Sequence, residues 1–120
     1  MASELRAVGD RVLVVRVQPG SELIRHVGET MGVTDRVLQF GEVVGLGTDW
    51  VSGNLRRLEL AVGDLVVYPS PRIYDQFRQH LPGKGAVQIA VIPGYWISAV
   101  VHSGWLAEHP ECREYGALLE

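Results

Sequence analysis

The stretch AVGDRVLVV, residues 7–15, decides how the chain is read, because an echo of it, AVGDLVVYP, returns at residues 61–69. In both, a Gly-Asp pair stands just ahead of an apolar run. Glycine reaches the positive φ of a tight turn without steric penalty, and an aspartate carboxylate accepts bonds from following backbone amides. Gly-Asp is therefore a good way into a buried strand. The first copy runs on through Leu13, Val14, Val15, Arg16 and Val17, a β-branched alternation of period two, until Gln18, Pro19 and Gly20 stop it. The second ends at Pro69, Ser70 and Pro71, where the prolines withdraw backbone donors. Nothing else recurs, so the echo is one turn used twice rather than a duplicated unit.

Working outward, FGEVVGLG at 40–47 is apolar, with glycines that point to bending or to close approach of another backbone. WVSGNLRRL at 50–58 reads as a hairpin turning on Ser52, Gly53 and Asn54. AVQIAVI at 86–92 and YWISAVV at 95–101 read as strands separated by Pro93 and Gly94. Ahead of both, residues 73–81 suggest an irregular loop with a short helix. Residues 21–39 fit neither the helical nor the strand period and read as a long loop, a length usually reserved for function. The last nineteen residues, HSGWLAEHPECREYGALLE, are at most weakly helical, with Trp105, Leu118 and Leu119 as anchors. Five to seven short strands with regular turn signals predict an all-β fold, a small barrel or sandwich.

Composition narrows the function. The 120 residues are about one domain's worth. Eleven basic against 14 acidic residues give a net charge of −3 with no basic run, which argues against nucleic acid as a partner. No apolar stretch is long enough to span a membrane as a helix, and the N-terminus lacks the apolar centre of a signal peptide, so no membrane partner and a cytoplasmic location are expected. The single cysteine, Cys112, has no second thiol to pair with. The histidines His26, His80, His102 and His109 stand in different segments without ligand spacing, so no metal or cofactor is expected. No nucleophile elbow, phosphate loop or carboxylate pair stands in a recognisable frame, and no catalytic residue is assigned.

Taken in order, GDRVLVVRV, GEVVGLG, LAVGDLVVYPS and YWISAVV resemble the co-chaperonin family, the GroES or ten-kilodalton heat-shock proteins, over roughly residues 5–101. The resemblance implies a small GroES-like β-barrel in residues 1–101, with a long mobile loop at about 18–39, a roof hairpin at about 48–59 and a C-terminal extension over 102–120. It implies a homo-oligomer, a heptameric ring in the family, that caps an ATP-bound chaperonin ring through the mobile loop and assists protein folding. In the family that loop orders on its partner, trading chain entropy for apolar burial.

The loop lacks the family's Gly-Gly-aliphatic stretch. Leu23 and Ile24 are the first candidates for chaperonin contact, then Met31 and Val33. For the ring, residues 11–17 of one subunit are expected beside residues 95–101 of the next, through Arg11, Leu13, Val15, Trp96, Ile97 and Val100. The roof is expected around Trp50, Gly53 and Asn54. Virus-encoded members of the family would tolerate such departures. The alternative is a structural or assembly subunit, such as a viral capsid accessory protein, that keeps the barrel without binding a chaperonin. GEVVGLG and AVGDLVVYP also resemble the barrel of medium-chain zinc alcohol dehydrogenases, but the zinc ligands and the dinucleotide fingerprint of that reading are missing from the sequence.

Overall fold

Both Gly-Asp turns adopt the conformation that their glycines permit: Gly9 has φ of +65° and Gly63 of +102°. The computed structural model describes residues 7, 9–31, 38–48, 59–69, 75–112 and 116–117. After the first turn, β1 (Arg11–Gln18) leads into α1 (Ser21–Met31) and then β2 (Leu38–Leu46). After the second come β3 (Leu65–Pro69), β4 (Asp75–Leu81) and β5 (Gly85–Pro93). A 3-10 turn (Gly94–Trp96), β6 (Ala99–Val101), α2 (Ser103–Glu108), a second 3-10 turn (Pro110–Cys112) and β7 (Gly116–Ala117) complete the chain.

The strands form one antiparallel sheet in the order β4-β5-β1-β2-β3-β6, with β7 pairing with the end of β1. β1 is its hub. Side chains alternate across a strand, and here both faces are covered. Val12 and Val14 join Val43, Val66, Tyr68 and Ile92 on one face. Leu13 and Val15 pack with Val87 and Ile89 on the other, while Val17, Leu65 and Val67 meet the helices. Burial on both sides explains why β1 and β3 read as nearly unbroken apolar runs.

The glycines of β2 and its end mark close approaches. A Cβ on Gly41 would lie 2.9 Å from Val14 Cβ, and one on Gly47 would lie 2.2 Å from the Gly9 carbonyl oxygen. The β1–β2 register also slips at Leu13/Val14, a bulge that lets the pair bend.

Several expectations are corrected. Over Ser21–Met31 the expected loop is an α-helix, because Leu23 and Val27, four residues apart, fall on one face and are buried against the sheet. The loop with a short helix expected at 73–81 is instead strand β4, paired with β5 from Asp75 to Leu81. Its turn uses Gly83 and Gly85, both at positive φ, and the side chains of residues 76–80 are exposed, which is why the strand lacks an apolar alternation. The expected strand at 95–101 shortens to Ala99–Val101, since Gly94–Trp96 closes a 3-10 turn with Ile97 N–H donating to the Gly94 carbonyl at 3.1 Å. The tail is more helical than its sequence suggests. The predicted hairpin at 50–58, with Trp50, Gly53 and Asn54, lies outside the described residues, as do Leu118 and Leu119.

Candidate functional site

The site is built where α1 meets the C-terminal segment. α1 sends Leu23 and Val27 inward and leaves Ser21, Ile24 and Arg25 exposed, with Arg25 ion-paired to Glu22 one turn earlier. Opposite it, α2 begins at a fixed point. The Ser103 N–H donates to Asp64 Oδ1 at 2.8 Å, and the Ala61 N–H donates to Asp64 Oδ2 at 3.0 Å. His102 Nδ1 lies 3.2 Å from the same Oδ2. Asp64 is 2% exposed, so this carboxylate is a buried staple joining the second Gly-Asp turn to the first turn of α2. Its partners are the backbone three residues before it and the tail, not the amides that follow, as the sequence suggested.

From that point Leu106 and Cys112 drop into the core beside Leu23 and Val27, and Trp105 stays at the seam. The indole is sandwiched. His26 from α1 stacks on one face with ring centroids 4.1 Å apart and planes at 24°, and His109 stacks at 3.8 Å and 9°. His109 Nδ1–H donates to the Trp105 carbonyl oxygen at 2.9 Å, which fixes the tautomer because a carbonyl can only accept.

An open cleft of about 330 Å³ lies over this stack, with Glu22, Arg25 and His26 on one wall and His109, Glu111 and Cys112 on the other. Burial pushes the Cys112 thiol up from its ordinary pKa, the carboxylates of Glu111 and Glu22 push it further, and the Arg25 guanidinium partly opposes them. Such a thiol stays protonated and is a poor nucleophile. The indole holds the two imidazoles on opposite faces, and among the described residues no group of three or more His, Cys, Asp or Glu side chains is arranged to hold a metal ion. The arrangement is a joint between two segments, apolar at its floor and ionisable at its rim.

The sequence-predicted residues are distributed as follows. Leu23 is fully buried and Ile24 is 51% exposed, so the two neighbours do not present one surface. Met31 ends α1, while its side chain and Val33 lie outside the described residues. Leu13 and Val15 are core residues, Arg11 is exposed, and Trp96, Ile97 and Val100 pack half-buried against the Val12 face. The expected pairing of residues 11–17 with a neighbour meets a direct obstacle: β1 is bonded to β2 on one side and to β5 and β7 on the other, so it has no free edge. Sequence reasoning missed the His26–Trp105–His109 joint. Its one legible sign is that Trp105 and His109 stand four apart; His26 lies some eighty residues away, and only the fold brings it there.

No protein-family model matches the chain, and no curated protein matches it.

Proposed function

We propose that the chain is a divergent GroES-like co-chaperonin, an oligomer that caps an ATP-bound chaperonin ring through its 18–39 segment and assists the folding of the enclosed protein. What supports the reading is the succession of elements. A buried first strand, a long connection, a glycine-bearing second strand, a Gly-Asp turn into a third strand and a short last strand follow one another in the order of the four motifs on which the resemblance rests. On this reading Ile24, an exposed apolar side chain of α1, is a contact, and Leu23 seats the helix in the closed molecule. Subunits join through the outer edge of β6, unpaired among the described residues, rather than through β1.

The second reading, an assembly subunit that keeps the barrel and caps nothing, is favoured by the docking of Leu23 and Val27, which makes a covered wall of the segment that would otherwise reach a chaperonin. Native mass spectrometry with and without a chaperonin and ATP separates the two. A ring that joins the chaperonin only with ATP supports the first, a ring that never joins it supports the second, and a stable monomer overturns both.

A further inference from the structure

We propose that residues 103–112 form a latch that holds α1 against the sheet, and that the latch and α1 open together while the strands stay folded. Four observations carry this. α1 stands in the connection between β1 and β2, and its inward side chains Leu23 and Val27 meet Leu106 and Cys112 of the C-terminal segment in one cluster. Trp105 closes the seam by stacking on His26 across it and on His109 behind it. The joint is open at its rim, where the 330 Å³ cleft with its ionisable walls lies, so what holds the two sides together is the stack and the apolar floor. A pivot is built in as well: the buried Asp64 carboxylate grips the Ser103 N–H, and beyond that bond the described residues are attached through the joint and the two-residue pairing of β7.

The strands, by contrast, are held by continuous ladders around β1. A segment held to the sheet mainly by side-chain packing, without a ladder of backbone hydrogen bonds, opens at lower free energy than the sheet that carries it. Opening uncovers Leu23, Val27, Leu106 and Cys112, an apolar face absent from the closed molecule. As a gate for partner binding the latch rests on the reading of 18–39 as the contact segment, because Ile24 is exposed in the closed molecule and only opening adds Leu23 to it as a second contact. As a conformational device it does not depend on that reading.

Cys112 reports the opening, since it is the chain's one cysteine and is 4% exposed in the closed state. In the full chain, Trp105→Ala is expected to speed the reaction of Cys112 with a soluble disulfide reagent about tenfold, and Trp105→Phe, which still stacks, to restore most of the protection. Amide exchange is expected to accelerate in α1 and stay unchanged in β1, β2 and β3. The latch is overturned if Trp105→Ala changes thiol reactivity by less than about twofold, or if the strands exchange faster by the same factor as α1, which marks one cooperative unit. Capture by a chaperonin with ATP is measured on the same proteins and is expected to be stronger for Trp105→Ala. Faster thiol chemistry with unchanged capture overturns the gate and leaves the latch standing. No capture of either protein overturns the functional reading alone.

Discussion

Asp64 and Asp10 occupy the same place in the same four-residue motif, yet they hold the molecule by different atoms. Asp64 works through its carboxylate, buried and bonded to the Ala61 and Ser103 amides. Asp10 works through its backbone carbonyl, which accepts the Gly94 N–H at 2.7 Å and survives any side-chain change. Removing the Asp64 carboxylate takes a buried acceptor away from two part-buried backbone donors and unties the second turn from α2. Asp64→Ala should therefore cost about 2–4 kcal/mol in urea unfolding and Asp10→Ala well under about 1 kcal/mol. Equal losses would show that the carboxylate is not the staple. Gly47 is sharper still. Its missing Cβ leaves room for the Gly9 carbonyl, and Gly47→Ala must push a backbone aside, so a loss of at least about 2 kcal/mol is expected in the same assay. A variant as stable as the parent would mean that the turn at Gly9 yields freely.

Among the elements, α1 shows where sequence reading succeeds and where it stops. Leu23 is fully buried and Ile24 half exposed, so Leu23→Ser should cost about 3 kcal/mol and Ile24→Ser less than about 1 kcal/mol in thermal or urea unfolding. The reverse order would mean that α1 is rotated on the sheet. The apolar pair 23 and 27 that places this helix is present in the sequence, but over the window 21–39 it is averaged with Ile24, Met31, Val33, Val37 and Leu38, and the period disappears. What stabilises a helix of three turns is tertiary packing, and here the packing partners, Trp105, Leu106 and Cys112, lie some eighty residues on. β1 and β3 are legible because burial on both faces writes itself as nearly unbroken apolar runs, and β2 and β5 because buried and half-buried positions alternate along them. β4 was not, because its side chains at 76–80 face water and carry no pattern at all. The thiol at the joint offers a test of the same packing. Burial raises the folded-state pKa of Cys112, so the folded protein holds the thiol proton more tightly than the unfolded chain does. That stabilisation is complete below the ordinary thiol value of about 8.5 and is lost as pH rises from there through the folded value. The urea midpoint of the parent should thus fall faster with alkaline pH than that of Cys112→Ala. Parallel curves would indicate that water reaches the thiol.

At the scale of the whole molecule, one strand connects three clusters of buried side chains. β1 supplies Val17 to the cluster under the helices, Val12 and Val14 to the face with Tyr68, and Leu13 and Val15 to the patch with Ile89. No other strand puts a buried side chain into all three, β2 reaching the third only through half-buried Val44, and β1 is bonded along both edges. A defect in β1 should accordingly be felt everywhere, whereas the outer strand β4, among the described residues, is hydrogen-bonded to β5 alone and touches the core through half-buried Leu81, so it should fail by itself. Val14→Ala removes two methyl groups from a fully buried site, for a loss of about 2 kcal/mol, and amide exchange is expected to rise by a common factor in β1, β2, β3 and β5. Phe77→Ala, at a side chain 37% exposed, is expected to cost less than about 1 kcal/mol, with faster exchange confined to β4 and the part of β5 that faces it. The contrast between the two exchange maps is the test. If Phe77→Ala loosens β2 and β3 as much as β4, the hairpin belongs to the cooperative core. If Val14→Ala loosens only its own neighbours, the three clusters unfold separately and β1 is a seam between them rather than their hub.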